Sequence, residues 1–365
     1  MAAADLFFWP ARLAAEAGRV AADMMADLAG QGHGAEEPAS AWATPHAVRL
    51  ALPSLRLRDY SAEPAGPPTL VVAPYALHHA TLADFAPGHS LMQTLRSAGL
   101  TNLFLAEWRS ATPAMRFLTV DSLLADLNVA VDDIGGRVRL IGLCQGGWMA
   151  LLFAARFPDK VESVVAAGAP LDTAAGSSLL TVSARATPSA LFETMVEAGG
   201  GRVLGDALTQ AFVHAAGATP ADGALGLDPA DASAEAAALR QRFDAWVRRT
   251  VDLPGPFFLQ TVTWMFKENR LVADSFPALG RSVGLGQVRC PVLLLAATSD
   301  ELVSPRQVFA AAGGLGSPAK SVRTLLADGP HLGLFMGLRT LEDTWPEIAG
   351  WIAGAGLPSR HRSST

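Results

Sequence analysis

The segment with the clearest chemical signal is Leu140–Trp148, which reads Leu-Ile-Gly-Leu-Cys-Gln-Gly-Gly-Trp. It has the Gly-x-nucleophile-x-Gly spacing of a nucleophile elbow, with Cys144 in the position where serine is more common. Such a turn is so tight that the residues two before and two after its apex have no room for a Cβ, and Gly142 and Gly146 meet this need. We therefore predict that Cys144 lies at a helix N-terminus, where the helix dipole favours a nucleophilic thiolate.

A cysteine nucleophile of this kind needs a base and a group that orients the base. His331 lies in a loop after the last predicted strand and is the predicted base. Asp300 directly follows the preceding predicted strand, so we expect it to fix the tautomer of the imidazole and to stabilise its charged form. The order nucleophile, acid, histidine along the chain is the one typical of elbow hydrolases. Asp328, which is close in sequence to His331, and Asp172 are weaker rivals for the acid.

Attack on a carbonyl also requires donors for the developing oxyanion. The elbow aims the backbone N–H of Gln145 at the space above the sulfur. A second donor is expected from the loop after the first buried strand, where the N–H groups of Tyr75 and Ala76 are equal candidates. His78 and His79 follow in the same loop, but no further ligand lies at a suitable spacing, so we predict neither a metal site nor a cofactor.

Short apolar runs alternate with helical patterns around these residues, which predicts a mostly parallel, doubly wound sheet with helices on both faces. Together with the elbow, this pattern indicates an α/β protein with the α/β-hydrolase fold. The predicted strands are Val48–Leu57 (one or two), Thr69–Ala73, Asn102–Glu107, Val138–Leu143, Val161–Ala167, Pro291–Ala297 and Ser321–Leu326. The predicted helices are Ser90–Ala98, Thr119–Ile134, Trp148–Phe157 and Thr340–Ile352.

The domain organisation follows from where this alternation stops. Residues 172–286 are rich in Ala and Gly, are helix-prone and contain no convincing buried strand, so they are predicted to form a helical lid between two parts of the core, 46–171 and 287–355. By analogy with other proteins of this fold, a lid covers the substrate pocket. The apolar and aromatic side chains predicted to line that pocket are His78, Trp148, Phe257, Phe258 and Trp264.

Residues 1–45 are predicted to be a helix, Asp5–Leu28, followed by a linker, Gly30–Thr44. The helix could pack on its own domain, or Phe7, Phe8 and Trp9 could dock on an apolar surface.

The composition excludes several functions. A formal charge of −6 argues against nucleic acid as a partner, because phosphate binding needs clustered Lys and Arg. The two cysteines give no disulfide framework, which favours a reducing cytoplasm; Cys290, before a strand and without flanking glycines, is predicted to be a small buried hydrophobe. The chain has neither a secretory signal pattern nor an apolar run of the ~20 residues that a transmembrane helix needs.

From about Leu70 to Ile352 the chain resembles the intracellular poly(3-hydroxybutyrate) depolymerases and, more distantly, the polyhydroxyalkanoate synthases. The blocks that carry the depolymerase likeness are Val71-Val72-Ala73-Pro74 with His78-His79-Ala80-Thr81-Leu82, Cys144-Gln145, Gly168-Ala169-Pro170-Leu171-Asp172, Asp252-Leu253-Pro254 through Phe266 to Arg270-Leu271, and His331-Leu332-Gly333-Leu334-Phe335. The resemblance implies the same triad, with Cys144 as nucleophile, Asp300 as acid and His331 as base.

Three departures separate the chain from one family or the other. The pair Gly146-Gly147 is a synthase feature, because the depolymerases lack the second glycine. Pro330 replaces the glycine that precedes the catalytic histidine in both families, and Glu301 stands where synthases tend to have histidine after the acid.

The favoured hypothesis is a hydrolase that cleaves ester bonds of an intracellular polyhydroxyalkanoate or its oligomers through a thioester acyl-enzyme. The alternatives are a synthase that polymerises 3-hydroxyacyl-CoA and a non-catalytic granule-associated protein. The implied partner is a polyester granule surface or a hydroxyacyl oligomer in the cytoplasm.

Overall fold

The computed structural model describes residues 42–209 and 219–355. Its centre is an eight-stranded sheet with the order β1-β2-β4-β3-β5-β6-β7-β8. Strands β1 and β2 are antiparallel to each other, β2 is antiparallel to β4, and all the remaining neighbours are parallel. The strands are β1 Ala47–Ala51, β2 Leu55–Asp59, β3 Thr69–Val72, β4 Leu103–Trp108, β5 Val138–Leu143, β6 Val161–Ala167, β7 Val292–Ala297 and β8 Val322–Ala327.

Helices cover both faces of the sheet, because its central strands are mostly apolar and must be buried on both sides. Every residue of β3 to β5 and of β7 is buried. One apolar cluster forms under α2 and α3, and a second forms under α1 and α11. These four core helices are α1 Leu91–Ser97, α2 Val120–Asp133, α3 Gln145–Arg156 and α11 Trp345–Ala355.

The remaining helices lie mainly in the predicted lid, and all of them except Ala234–Val247 are short. They are α4 Leu179–Ala186, α5 Ser189–Ala198, α6 Ala221–Leu225, α7 Ala234–Val247, α8 Gly255–Gln260, α9 Pro305–Phe309 and α10 Gly333–Met336. Two π-helical segments, Thr261–Lys267 and Thr340–Thr344, extend α8 and precede α11. Short 3₁₀ turns occupy Ala80–Ala83, Pro113–Met115, Pro158–Lys160, Leu285–Gln287, Ala310–Gly314 and Ala319–Ser321.

The predicted α/β-hydrolase fold is confirmed. The predicted start of the helix after the elbow is wrong. That helix was expected from Trp148 but begins at Gln145. The prediction places the start of the helix too late because Gly146 and Gly147 have low helix propensity. The strands on either side, β5 and β6, have the predicted ends.

Residues 172–286 are predicted to form a helical lid, but they contain short strands as well as helices. Arg202–Val203 pairs with Leu253–Pro254, and Phe276–Ala278 forms a hairpin with Arg281–Val283. Strands of two or three residues are too short to show an alternating pattern, so periodicity could not have revealed them. A further two-stranded ribbon, Asp84–Ala86 with His89–Ser90, lies in the core before α1.

The predicted N-terminal helix lies outside the described residues, but the end of the predicted linker is visible. Trp42 is buried, and the Arg58 guanidinium lies over its ring at 4.2 Å. The Thr44 N–H donates to the Asp84 carboxylate at 3.0 Å. The chain is therefore anchored to the core a few residues before the predicted boundary.

Candidate active site

Cys144 lies at the apex between β5 and α3, with backbone angles φ 50° and ψ −117° that non-glycine residues rarely adopt. Its N–H donates to the Ala167 carbonyl at 2.8 Å, and its carbonyl accepts from the Gly147 N–H at 2.9 Å. These bonds from a neighbouring strand and from the first turn of the helix hold the strained residue in place. The sulfur is thereby presented at the carboxyl edge of the sheet.

The glycines around Cys144 are required by close backbone contacts. A Cβ on Gly142 would lie 2.3 Å from the Gly146 carbonyl oxygen, and a Cβ on Gly146 would lie 2.1 Å from the Val72 carbonyl oxygen. The predicted reason for these two glycines is confirmed. Gly147 is constrained differently, because its Cβ would lie 2.5 Å from the Cβ of Ala169.

The acid and the base meet as the chain order predicts. Asp300 Oδ2 lies 2.7 Å from His331 Nδ1, and both side chains are almost completely buried. Asp300 Oδ1 accepts the N–H groups of Leu302 and Val303 at 3.0 and 2.8 Å, which fixes the orientation of the carboxylate. Cys144 and His331 line the same cavity, so the imidazole held by Asp300 faces the space beside the sulfur.

The charge state of His331 is set by opposing effects. Burial alone would lower its pKa, but the Asp300 charge, the charge on Cys144 and hydrogen bonds to both raise the pKa well above its ordinary value. A protonated imidazole is therefore favoured beside the sulfur, as a thiolate nucleophile requires. Gly168, with φ 58°, leaves room for the ring, since a Cβ there would lie 3.1 Å from His331 Cε1.

The rival acids are placed elsewhere. Asp172 Oδ1 accepts from the Asn269 amide at 2.8 Å and from the Ala174 N–H at 3.0 Å, which ties it to the lid. Asp328 is exposed to solvent. Glu301, which sequence analysis singled out only as a departure, accepts the His331 N–H at 3.1 Å and also the hydroxyl of Thr219.

The candidate oxyanion donors converge on Cys144 from two sides. Gln145 is the first residue of α3, so its N–H has no partner within the helix. Ala76 lines the space above Cys144. The Tyr75 ring is instead turned into the core, where it stacks on Trp108 and Phe257 and its hydroxyl donates to the Arg109 carbonyl at 2.7 Å. Ala76 lines both cavities that Cys144 lines, whereas Tyr75 lines neither, so Ala76 is kept as the candidate second donor.

Two cavities meet at Cys144. Cavity one has a volume of about 120 Å³ and is lined by Pro74, Ala76, Leu77, His78, Leu82, Cys144, Leu180, Thr219, Phe243, Trp246, Val247, Glu301, Leu302, His331, Leu332 and Phe335. Cavity two has a volume of about 90 Å³ and is lined by Ala76, Leu77, Cys144, Gln145, Leu180, Ala184, Leu208, Leu253, Phe257, Phe258, Thr261, Val262, Phe266 and Leu302. Among the described residues that line cavity two, Cys144 is the only ionisable one, whereas cavity one also has His78, Glu301 and His331.

The predicted pocket residues divide into two groups. His78 lines cavity one, and Phe257 and Phe258 line cavity two. Trp148 and Trp264 line neither cavity: both rings pack against Phe276 of the lid hairpin, and Trp148 is completely buried. The prediction failed for these two because helical spacing marks an apolar face without showing whether core or cavity covers it. Trp246, Phe243 and Leu180 were missed because nothing in sequence separates them from core residues.

Within residues 42–209 and 219–355, no group of three or more His, Cys, Asp or Glu side chains is placed to hold a metal ion. No helix in the same ranges is both long and apolar enough to cross a bilayer. Burial raises the pKa of the Cys290 thiol to about 12, so this cysteine forms very little of the nucleophilic thiolate at neutral pH.

Comparison with known proteins agrees with the observed fold. A family model described as alpha/beta hydrolase fold matches residues 25–337. The poly(3-hydroxyalkanoate) polymerase subunit PhaC of Synechocystis sp. is 29% identical over 82% of this chain and 80% of its own length. The protein of the same name from Allochromatium vinosum is 25% identical over 81% of this chain and 83% of its own. Among solved structures, the monoacylglycerol lipase of Paleococcus ferrophilus has a TM-score of 0.53 at 17% identity, covering 82% of this chain and 99% of that one.

Proposed function

We propose that this chain, which belongs to the alpha/beta hydrolase fold family, is an acyltransferase. It would join 3-hydroxyacyl units from a coenzyme A thioester into a polyester. The observation that carries the proposal is that two adjoining cavities share Cys144 in their walls. Transfer of an acyl group to an organic acceptor requires space for both partners at one sulfur. The polymerase relatives support the same choice, and they favour the synthase alternative over the depolymerase hypothesis drawn from sequence.

In the first half-reaction, the Cys144 sulfur attacks the thioester carbonyl of the donor. The Gln145 and Ala76 N–H groups hold the oxyanion, the bond to the coenzyme A sulfur breaks, and the His331 imidazolium gives its proton to the leaving thiolate. In the second half-reaction, neutral His331 takes the proton of an acceptor hydroxyl, whose oxygen attacks the thioester on Cys144. The C–S bond breaks and the new ester is released, with the proton remaining on His331.

The two cavities suit different parts of this reaction. Cavity two is apolar and matches the hydrocarbon part of the acyl group. Cavity one holds His331 together with the Glu301 carboxylate and His78, so it suits the partner that carries a hydroxyl. An enzyme of this kind would act in the cytoplasm at the surface of a growing polyester granule.

The test is incubation of the purified protein with 3-hydroxybutyryl-coenzyme A. We expect free coenzyme A and an insoluble polymer, with an initial burst of about one coenzyme A per chain as Cys144 is acylated. Cys144→Ala should release none, whereas Cys290→Ser, which changes the other thiol, should behave like the wild type.

Other outcomes would replace the proposal. Coenzyme A release accompanied by free 3-hydroxybutyrate in place of polymer indicates a thioester hydrolase. Release of soluble 3-hydroxybutyrate from amorphous granules, without a burst from the thioester, indicates the depolymerase. Granule binding that survives Cys144→Ala, with no turnover in any assay, indicates a non-catalytic granule protein.

A further inference from the structure

The loop that carries Ala76, the candidate second oxyanion donor, is attached to the sheet by a buried ion-pair network. Glu107 at the end of β4 is 1% exposed, and its Oε2 lies 2.6 Å from Nε of Arg58. Its other oxygen, Oε1, lies 3.0 Å from His79 Nε2 and 3.6 Å from Arg56. Burial opposes ionisation of this carboxyl, but the hydrogen bond from His79 and the Arg58 guanidinium lower its pKa to about 2. The carboxylate is therefore a fixed negative anchor.

His79 connects this anchor to the loop. Its Nδ1 accepts the Thr81 N–H at 3.3 Å, which places the ring proton on Nε2, where it faces Glu107. Its carbonyl oxygen accepts the indole N–H of Trp246 from the lid at 3.1 Å. One residue thus joins the sheet, the loop and the lid.

The loop needs such support because its backbone is unusual. Leu77 has φ 51°, in the left-handed region that a leucine rarely occupies. Its carbonyl accepts the Val251 N–H at 2.9 Å, and His78 forms an antiparallel bridge with Thr250. The segment from Ala76 to His78 is therefore held between the Tyr75 ring on one side and His79 on the other.

We infer that His79, held by Glu107, is a positioning residue that keeps the Ala76 N–H aimed at the oxyanion formed on attack by Cys144. His79 does not line either cavity described above, so it acts through the loop. The inference rests on the proposed function only in requiring a tetrahedral oxyanion at Cys144, and it holds whether the acceptor is a hydroxyl or water.

The test compares two reactions of the same sulfur. Acylation by p-nitrophenyl butyrate passes through an oxyanion and needs neither coenzyme A nor polymer, whereas alkylation by iodoacetamide needs the thiolate but forms no oxyanion. In His79→Leu we expect the acylation burst to slow by about 10- to 100-fold, while alkylation of Cys144, followed by mass spectrometry, changes by less than about twofold. His79→Gln, which can still donate to Glu107, should recover acylation to within about fivefold of the wild type.

The matched control is His46→Leu. His46 Nε2 lies 2.8 Å from Arg58 in the same network, and its ring stacks on Tyr60. This variant should lose stability without slowing acylation. A parallel fall of acylation and alkylation in His79→Leu, an unchanged acylation rate, or an equal loss in His46→Leu would each overturn the inference. So would a wild type whose Cys144 is alkylated but gives no burst with the ester, because the loop would then hold no working donor.

Discussion

At the scale of single residues, the site depends on one buried imidazole held between a carboxylate and a thiol. Sequence order alone predicts these three residues, because the fold places its nucleophile, acid and base after particular strands. It does not identify the choice between Tyr75 and Ala76, since adjacent residues of an irregular loop differ only in how the backbone turns. That turn is set by tertiary partners, the aromatic rings around Tyr75 and the hydrogen bonds of His79.

The role of Asp300 can be tested by removing its charge without changing its shape. In Asp300→Asn the side-chain oxygen can still accept the Leu302 and Val303 N–H groups, so the loop should keep its conformation. We expect acylation to slow by about 10²- to 10⁴-fold, because the imidazole loses the group that stabilises its charged form. Stopped-flow measurement of the acylation burst checks this. Asp328→Asn, at an exposed position, is the control, and a larger loss there would assign the acid to Asp328.

The raised pKa of His331 also predicts a pH dependence of stability. A group whose pKa is higher in the folded state stabilises the fold fully below its unfolded pKa, about 6.5, and this contribution is lost as the pH rises through the folded pKa. The free energy by which His331→Gln destabilises the protein should therefore be largest at about pH 6 and shrink as the pH is raised. Urea unfolding of both proteins across this range measures it. A difference that grows with pH would mean that burial, which lowers the pKa, dominates.

At the scale of elements, the elbow brings the first turn of α3 very close to β6 and the residues after it. A side chain at Gly147 would therefore meet Ala166 and Ala169. The sequence predicts the strand and the turn well, because glycine spacing records the backbone contacts directly. It predicts the lid poorly, because short ribbons and short helices leave little periodic signal.

The second glycine of the elbow gives a test of this packing. Gly147→Ala should lower the free energy of unfolding by about 1–3 kcal/mol, because the new methyl group would collide with the Ala169 side chain. The double variant Gly147→Ala with Ala169→Gly should recover part of this loss. Gly350→Ala on α11, where a Cβ meets nothing within 4 Å, should instead stabilise by about 0.5–1 kcal/mol. Equal losses in both single variants would show that helix position, and not the contact with Ala169, sets the cost.

At the scale of the whole molecule, the candidate site is assembled from the sheet core and the predicted lid, 172–286, together. The walls of both cavities combine β-strand ends with residues such as Leu180 and Leu302 that are far apart in sequence. No local pattern could predict that two cavities meet at one sulfur, because this arrangement exists only after the lid has packed.

The division of labour between the cavities predicts different effects of filling them. Val262→Phe, in cavity two, should slow acylation by long acyl donors more than by butyryl donors. Val247→Phe, in cavity one, should leave acylation of Cys144 within about twofold of the wild type but slow transfer to an alcohol. Burst and steady-state rates with p-nitrophenyl esters, with and without added alcohol, separate the two steps. Impairment of the same step by both variants would mean that the cavities form one substrate site.

The neighbouring strands β6 and β7 pair directly, with Val164 opposite Val292, although the whole lid is inserted between them. Closing a loop of this size costs little more than closing a shorter one, since the entropy grows only with the logarithm of length, but the closure is slow. Both partners of the sulfur, the acid after β7 and the base after β8, arrive only once this pairing has formed. A newly synthesised chain therefore carries a thiol without its acid and base until its last two strands dock, and the onset of Cys144 acylation by an ester in refolding reports on completion of the sheet.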